Sequence, residues 1–288
     1  MTQEGTRSTF GFKWRNFPVV TADDQTRPAL AYGEERLQRN GWEPPTFEEW
    51  VGGKTVLDAG CGVGWYTEYL RSRNPTGTTI GIDIAEEAVR KGRDLGHGDL
   101  LVGDIGAPPF PDEYFDYIAC EEVLHHTPDP PEYLQGLVRS LRRGGTITLY
   151  VYKEKPLLRE QADELLRERT TRMSIEECLE FSEQMTALGR ALSDLDEEIT
   201  VPEIPLLDVE EGSYDVHEFV YRHFLKCYFD WRSGDWDTSV ATNFDWYHPE
   251  YAFRYDEPTL RSILDDACLE VVHFEELMSG YAVRATRR

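Results

Sequence analysis

Thr55-Val-Leu-Asp-Ala-Gly-Cys-Gly-Val-Gly64 is a short apolar, β-branched run that passes into a turn with glycines at 60, 62 and 64. A strand that ends in glycines lets the backbone bend sharply and approach a ligand closely. In doubly wound sheets this place is the carboxyl end of a parallel strand, where nucleotides bind. A G-x-G-x-x-G fingerprint, which rests a diphosphate on a helix start, would need glycine at 65, and Trp65 stands there. That argues against a nicotinamide dinucleotide. Nineteen residues past Gly64, the run Thr78-Thr-Ile-Gly-Ile-Asp83 ends in a carboxylate, the group that accepts hydrogen bonds from both hydroxyls of a ribose. The ligand reads as ribose-bearing, with no diphosphate required.

Three further runs continue the pattern. Leu101-Val-Gly-Asp104 is followed by Ile105 and the loop Pro108-Pro-Phe-Pro111. Asp104 is placed to accept from an adenine amine, with Ile105 against the ring, or else to form the turn. Tyr114-Phe-Asp-Tyr-Ile-Ala-Cys-Glu-Glu-Val-Leu-His-His-Thr-Pro-Asp129 comes next, and then Arg143-Gly-Gly-Thr-Ile-Thr-Leu-Tyr-Val151. Helical segments over 66–73, 86–94 and 131–141 separate these runs. Strands alternating with helices predict βαβ units and a parallel sheet. A last helix over 256–267 and a hairpin of Leu269–Leu277 with Gly280–Thr286 close the chain.

Taken in order, these five motifs resemble the class I S-adenosylmethionine-dependent methyltransferases, in particular their small-molecule group. The resemblance covers about residues 50–152 and returns weakly over 256–288. It implies a Rossmann-like α/β fold with a doubly wound seven-stranded sheet, mostly parallel with one antiparallel strand, plus a helical cap insertion. It also implies S-adenosyl-L-methionine as cofactor. Asp58, Gly60, Gly62 and Gly64 would cradle the methionine moiety, Asp83 with Ile84 the ribose, and Asp104 with Ile105 the adenine. Cys120 and Glu121 would line the floor. Cys61 reads as a small packing residue.

The chain has 288 residues, 40% of them hydrophobic and 12% aromatic, enough for one domain with large additions. The five cysteines form no C-x-x-C pair, so neither zinc nor a disulfide framework is expected. No apolar run is long enough to span a bilayer, and Met1 to Thr9 does not read as a secretory signal, so a cytoplasmic protein without membrane contact is expected. The net charge of −24 would repel the phosphates of nucleic acids. Lysine occurs only at 13, 54, 91, 153, 155 and 226, a balance that points to a salt-adapted source. The sequence leaves the oligomeric state open.

Three regions follow from the pattern: an extension over 1–50, the cofactor domain over 51–152 and 253–288, and an insertion over 153–252 expected to cap the substrate. The extension holds the aromatic cluster Phe10-Gly-Phe-Lys-Trp-Arg-Asn-Phe17, read either as a flap over the cofactor mouth or as a hydrophobic staple, and a helix from about Thr26 to Asn40. His125 is the candidate general base, and His126 is expected to hold the loop after the fourth strand, with a weaker claim to a catalytic role. Trp14, Tyr150, Tyr152, His217, Tyr221 and His223 are candidate acceptor contacts. The leading function is methyl transfer to a small molecule. Alternatives are a protein or peptide side-chain methyltransferase, or a cofactor-binding protein without transferase activity.

Overall fold

The computed structural model describes residues 3–17 and 26–288, with 26–30 as backbone only. Its elements in chain order are α1 (Glu4–Asn16), α2 (Thr26–Arg39), α3 (Pro44–Val51), β1 (Thr55–Ala59), α4 (Trp65–Arg73), β2 (Thr78–Asp83), α5 (Glu86–Asp94), β3 (Leu100–Val102), β4 (Phe115–Glu121), α6 (Pro130–Ser140) and β5 (Leu141–Tyr152). Then come α7 (Leu157–Thr170), α8 (Ile175–Ser193), β6 (Glu198–Val201), β7 (Gly212–Asp215), α9 (Val216–His223), α10 (Trp236–Tyr247), α11 (Glu257–Asp266), β8 (Leu269–Glu276) and β9 (Gly280–Arg287). Two compact units result, one of residues 1–153 with 251–288 and one of residues 154–250.

The first unit is built on a seven-stranded sheet in the order β3-β2-β1-β4-β5-β9-β8. β1 to β5 run parallel, while β9 pairs antiparallel with both β5 and β8. Fully buried parallel strands read as continuous apolar runs, which is why Val56, Leu57 and Ala59 carry no polar alternation. One face packs Leu57, Ile118, Leu149 and Val283 against Leu134 and Leu137 of α6 and Leu260 and Leu264 of α11. The opposite face packs Val56, Tyr117 and Ala119 against Leu37, Phe47, Tyr66 and Leu70 of α2 to α4. The α6 start is fixed by Asp129, whose side chain accepts from the Glu132 amide, with prolines in the first turn where no N–H is needed.

The extension does not stand apart from this unit, because α1 packs on α5 and α2 on α4. The aromatic cluster at 10–17 falls largely in the last turns of α1, with Phe10 and Trp14 packed on Val63, Ala85 and Ala88.

The second unit is mostly helical. α8 opens with a capping box of Ser174 and Glu177 and buries Cys178, Ser182, Met185 and Thr186. α10 packs along α8, with Asn243 Nδ2 donating to Thr186 Oγ1 at 2.8 Å and Phe181 meeting the Tyr247 ring edge-on. The antiparallel pair β6 and β7 was not expected from the sequence. Its strands have four residues each, and only β6 alternates half-buried and exposed side chains, too short a pattern to separate from a loop. Among the described residues no helix is long and apolar enough to cross a membrane.

Candidate active site

The carboxyl ends of β1 and β2 lie level, with Asp58 opposite Gly81 and Ala59 opposite Ile82. The turn after β1 therefore lands beside the end of β2, where the amides of Gly60 and Cys61 both donate to the Ile82 carbonyl. Gly60 and Gly62 adopt φ of +84° and +55°, left-handed values that suit glycine. The space is closed as well. A Cβ on Gly60 would lie 2.3 Å from the Val123 side chain, and one on Gly62 2.4 Å from the Trp14 ring.

Asp83 is buried and joins strand to turn, its Oδ2 accepting from the Gly62 amide and its Oδ1 from the Ala85 amide, both at 2.8 Å. Burial raises its pKa, while those amides and the nearby Lys13 work the other way. The Ile84 amide acts on the same carboxylate, and a carboxylate with about four acceptor sites keeps room for a ribose hydroxyl beside these three amides. The half-buried Ile84 follows it directly. Asp58 is also buried and accepts from the Thr67 hydroxyl at 2.7 Å. Burial pushes its carboxyl up to about 6, against that hydrogen bond. A turn whose own residues carry no side chain, packed between Val123 and Trp14, and a buried strand-end carboxylate fit the cofactor expected from the sequence.

The adenine expectation meets a more local arrangement. Asp104 Oδ1 accepts from the Gly106 amide at 2.9 Å, an Asx turn, and its Oδ2 lies 3.4 Å from the Tyr133 hydroxyl. Ile105 belongs to the core beneath the sheet.

Glu121 and Cys120 correct the sequence reading. The Glu121 side chain is 1% exposed, and its two oxygens are taken by Arg39 at 2.7 Å and Asn40 at 2.9 Å. It anchors α2 to the end of β4 and does not present a carboxylate to a cofactor floor. Cys120 is enclosed in the core, where burial raises its thiol. The neighbouring Glu122, absent from the sequence-based set, has φ of +67°, a strained value for this residue type. Against its partial burial, Arg36 at 3.0 Å and Arg39 at 3.1 Å hold it ionised down to about 2. Arg36 spreads over the Tyr32, Trp65 and Tyr66 rings, and Arg39 over Tyr150 at 4.2 Å. Arg36 and Arg39 stand one helical turn apart, the only local hint of this network.

The other candidates divide. Trp14, expected on the acceptor, lies against the cofactor-side glycine turn, and its carbonyl accepts from Lys91 at 2.5 Å. His125 is fully buried and stacked on Tyr152 at 3.7 Å between centroids, with its carbonyl accepting from the Phe253 amide. A base must reach its proton, so this enclosed ring departs from the expectation of a base at the rim. His126 Nδ1 lies 2.7 Å from the Tyr251 carbonyl and its ring meets Phe10 edge-on, a loop-holding arrangement. Within the insertion, His217 Nε2 bonds the Cys227 carbonyl at 2.8 Å, and His223 packs with Tyr214 and Phe219 while burial lowers its pKa. Tyr221 meets the cations Arg159 and Lys226.

A family model described as "Methyltransferase domain" matches residues 57–149. An uncharacterised protein from Synechococcus is 38% identical over 114 residues, covering 36% of this chain and 27% of that protein. The ubiquinone biosynthesis O-methyltransferase of Nitrosomonas europaea is 28% identical over 121 residues, 38% of this chain and 50% of the enzyme. The chain thus spans half or less of the length of these relatives. Among solved structures, magnesium protoporphyrin IX methyltransferase from Synechocystis, with bound S-adenosylhomocysteine, shares the fold at a TM-score of 0.50 and 14% identity, covering 100% of both chains.

Proposed function

We propose that this chain, whose residues 57–149 match a methyltransferase-domain model, is a class I S-adenosylmethionine-dependent methyltransferase that transfers a methyl group to a small-molecule acceptor. The observation that carries the reading is the junction of Asp83 with the Gly60–Gly64 turn, where a buried carboxylate joins the end of β2 to a glycine turn held in left-handed backbone. The similarity to ubiquinone O-methyltransferases supports a small acceptor, as does a net charge of −24 that disfavours polyanions.

When bound, the cofactor supplies an electrophilic methyl group on a sulfonium. The protein's share is then positioning and exclusion of water. Asp83 would hold the ribose, with Ile84 beside it, and the turn after Asp58 would hold the methionine end. Asp104 and Ile105 would border the adenine. The Arg36, Arg39 and Glu122 network would fix the end of β4, with the two guanidinium groups favouring the ionised form of Glu122. His125 would act as packing beneath Tyr152, so the acceptor's own nucleophilicity carries the reaction. Residues 154–250 would select the acceptor, since the motifs of the sheet domain are spent on the cofactor.

Incubating the protein with isotopically labelled S-adenosylmethionine and a cell extract, then searching for labelled products by mass spectrometry, tests the reading. A labelled small molecule is expected. Label appearing only in protein would contradict the acceptor class, and no label anywhere would contradict transfer.

A further inference from the structure

In a chain with six lysines and a net charge of −24, the second unit buries two cations side by side. Arg159 is 3% exposed and Lys226 5%. The Lys226 ammonium lies 5.2 Å from the centroid of Tyr221, 5.3 Å from that of Tyr228 and 5.5 Å from that of Trp246. The Arg159 guanidinium faces two of the same rings, Tyr221 at 5.1 Å and Trp246 at 5.5 Å. Asp163, one turn along α7 from Arg159, is fully buried, and its Oδ2 accepts from Arg159 Nε at 2.7 Å. A second Arg159 nitrogen donates to the Tyr221 carbonyl.

Lys226 is left poorly served. Its ammonium has three donors, and among the described residues its hydrogen-bonding contact is the Tyr221 hydroxyl at 3.4 Å, longer than an ordinary bond of this kind. Asp163 interacts with both cations, Lys226 included, and its single negative charge answers only one of the two positive charges. Ring faces attract an ammonium but do not replace the oxygen acceptors it loses on leaving water. Two cations and one carboxylate leave one net positive charge, which matches one negative charge. A phosphate dianion would need a second free cation, and Arg159 is already committed to Asp163. Tyr221 and Tyr228 are only half-buried, so the cluster reaches the surface of its unit through aromatic faces that suit a flat apolar body.

We propose that Lys226, with Tyr221, Tyr228 and Trp246, forms a binding site for the carboxylate of a small aromatic acid. The anion supplies acceptors for the ammonium, and the ligand ring lies against the outer side of the Tyr221–Tyr228 pair, whose rings meet at 5.7 Å between centroids. The site needs neither cofactor nor turnover, so its failure and that of the transferase reading are separate results.

Benzoate is the probe, added to the full chain without cofactor at constant total ionic strength set by chloride, with acetate and inorganic phosphate in parallel. Thermal midpoint and tryptophan fluorescence are the readouts. Benzoate is expected to raise the midpoint saturably above the chloride baseline, acetate less, and phosphate not at all. Lys226→Met should weaken benzoate binding by about tenfold or more and Lys226→Arg by less than about threefold, tenfold being the loss of one modest charged contact. Tyr228→Leu, at a half-exposed ring, should weaken it severalfold even if the lysine variant does not fold. A wild-type midpoint indifferent to benzoate, equal benzoate affinity in a folded Lys226→Met or in Tyr228→Leu, or phosphate binding more tightly than benzoate would each overturn the proposal.

Discussion

Arg39 sets its guanidinium 2.7 Å from the Glu121 carboxylate, and both side chains are nearly enclosed. Removing one member of a buried pair strands the other, at a cost of about 3 to 5 kcal/mol, whereas replacing both by apolar groups costs far less. Arg39→Met should therefore lower the urea midpoint sharply, and Arg39→Met with Glu121→Leu should recover most of the loss. Equal destabilisation by the single and double variants would show that the pair is not coupled.

Asp58 and Glu122 should respond to pH in opposite senses. The Asp58 carboxyl is raised to about 6 in the fold, so the stability it contributes is full below its unfolded value near 3.8 and is lost as pH rises through 6. The loss is on the order of 3 kcal/mol. Glu122 is lowered to about 2, so its contribution is present above an unfolded value near 4.5 and disappears as pH falls towards 2. Denaturant melts from pH 2.5 to 7.5 should show that Asp58→Asn flattens the slope between 4 and 6, while Glu122→Gln flattens it below 4.5. Unaltered slopes in both variants would contradict the two assignments.

These residues also mark what the sequence could and could not reveal. The glycine turn, Asp83 at a strand end and the alternation of strands with helices are legible because a strand and its turn lie within one short run, and five apolar runs occur in order. Arg36, Arg39 and Asn40 are not, because their partners Glu121 and Glu122 lie more than 80 residues away and no local period records such a pairing. Trp14 was noticed, but its spacing of four from Phe10, which makes both one face of α1, was read as a cluster and not as a helix. The Glu121 pairing is not legible either, because sequence position fixes where a backbone goes, not which way its side chain points. The short hairpin of the insertion leaves too brief a pattern to read.

His126 and His125 should act on stability more than on chemistry. The His126 contact with the Tyr251 carbonyl ties the loop after β4 to the chain leaving the insertion, and losing a buried hydrogen bond of this kind costs about 1 to 3 kcal/mol. His126→Ala should lower the thermal midpoint. In a folded His125→Ala variant, turnover per folded molecule should stay within about tenfold of wild type, since general-base catalysis is worth about a hundredfold or more. A loss beyond a hundredfold with unchanged cofactor affinity would restore His125 as the base.

The charge balance predicts a protein strengthened by salt. With 54 acidic against 30 basic residues, screening relieves more repulsion than attraction. The thermal midpoint should climb from low salt through molar potassium chloride. A flat or falling midpoint would contradict a salt-adapted chain.

The central claim is that Asp83 and the glycine turn hold S-adenosylmethionine. Calorimetric titration of S-adenosylhomocysteine into wild type and into Asp83→Ala tests it most directly. A charged acceptor contributes about 1.5 to 3 kcal/mol per hydrogen bond, so the variant should bind at least about tenfold more weakly. Saturable binding by the wild type, weakened by that factor in a folded variant, is the predicted result. No binding to the wild type, or the same affinity in both proteins, would contradict the account.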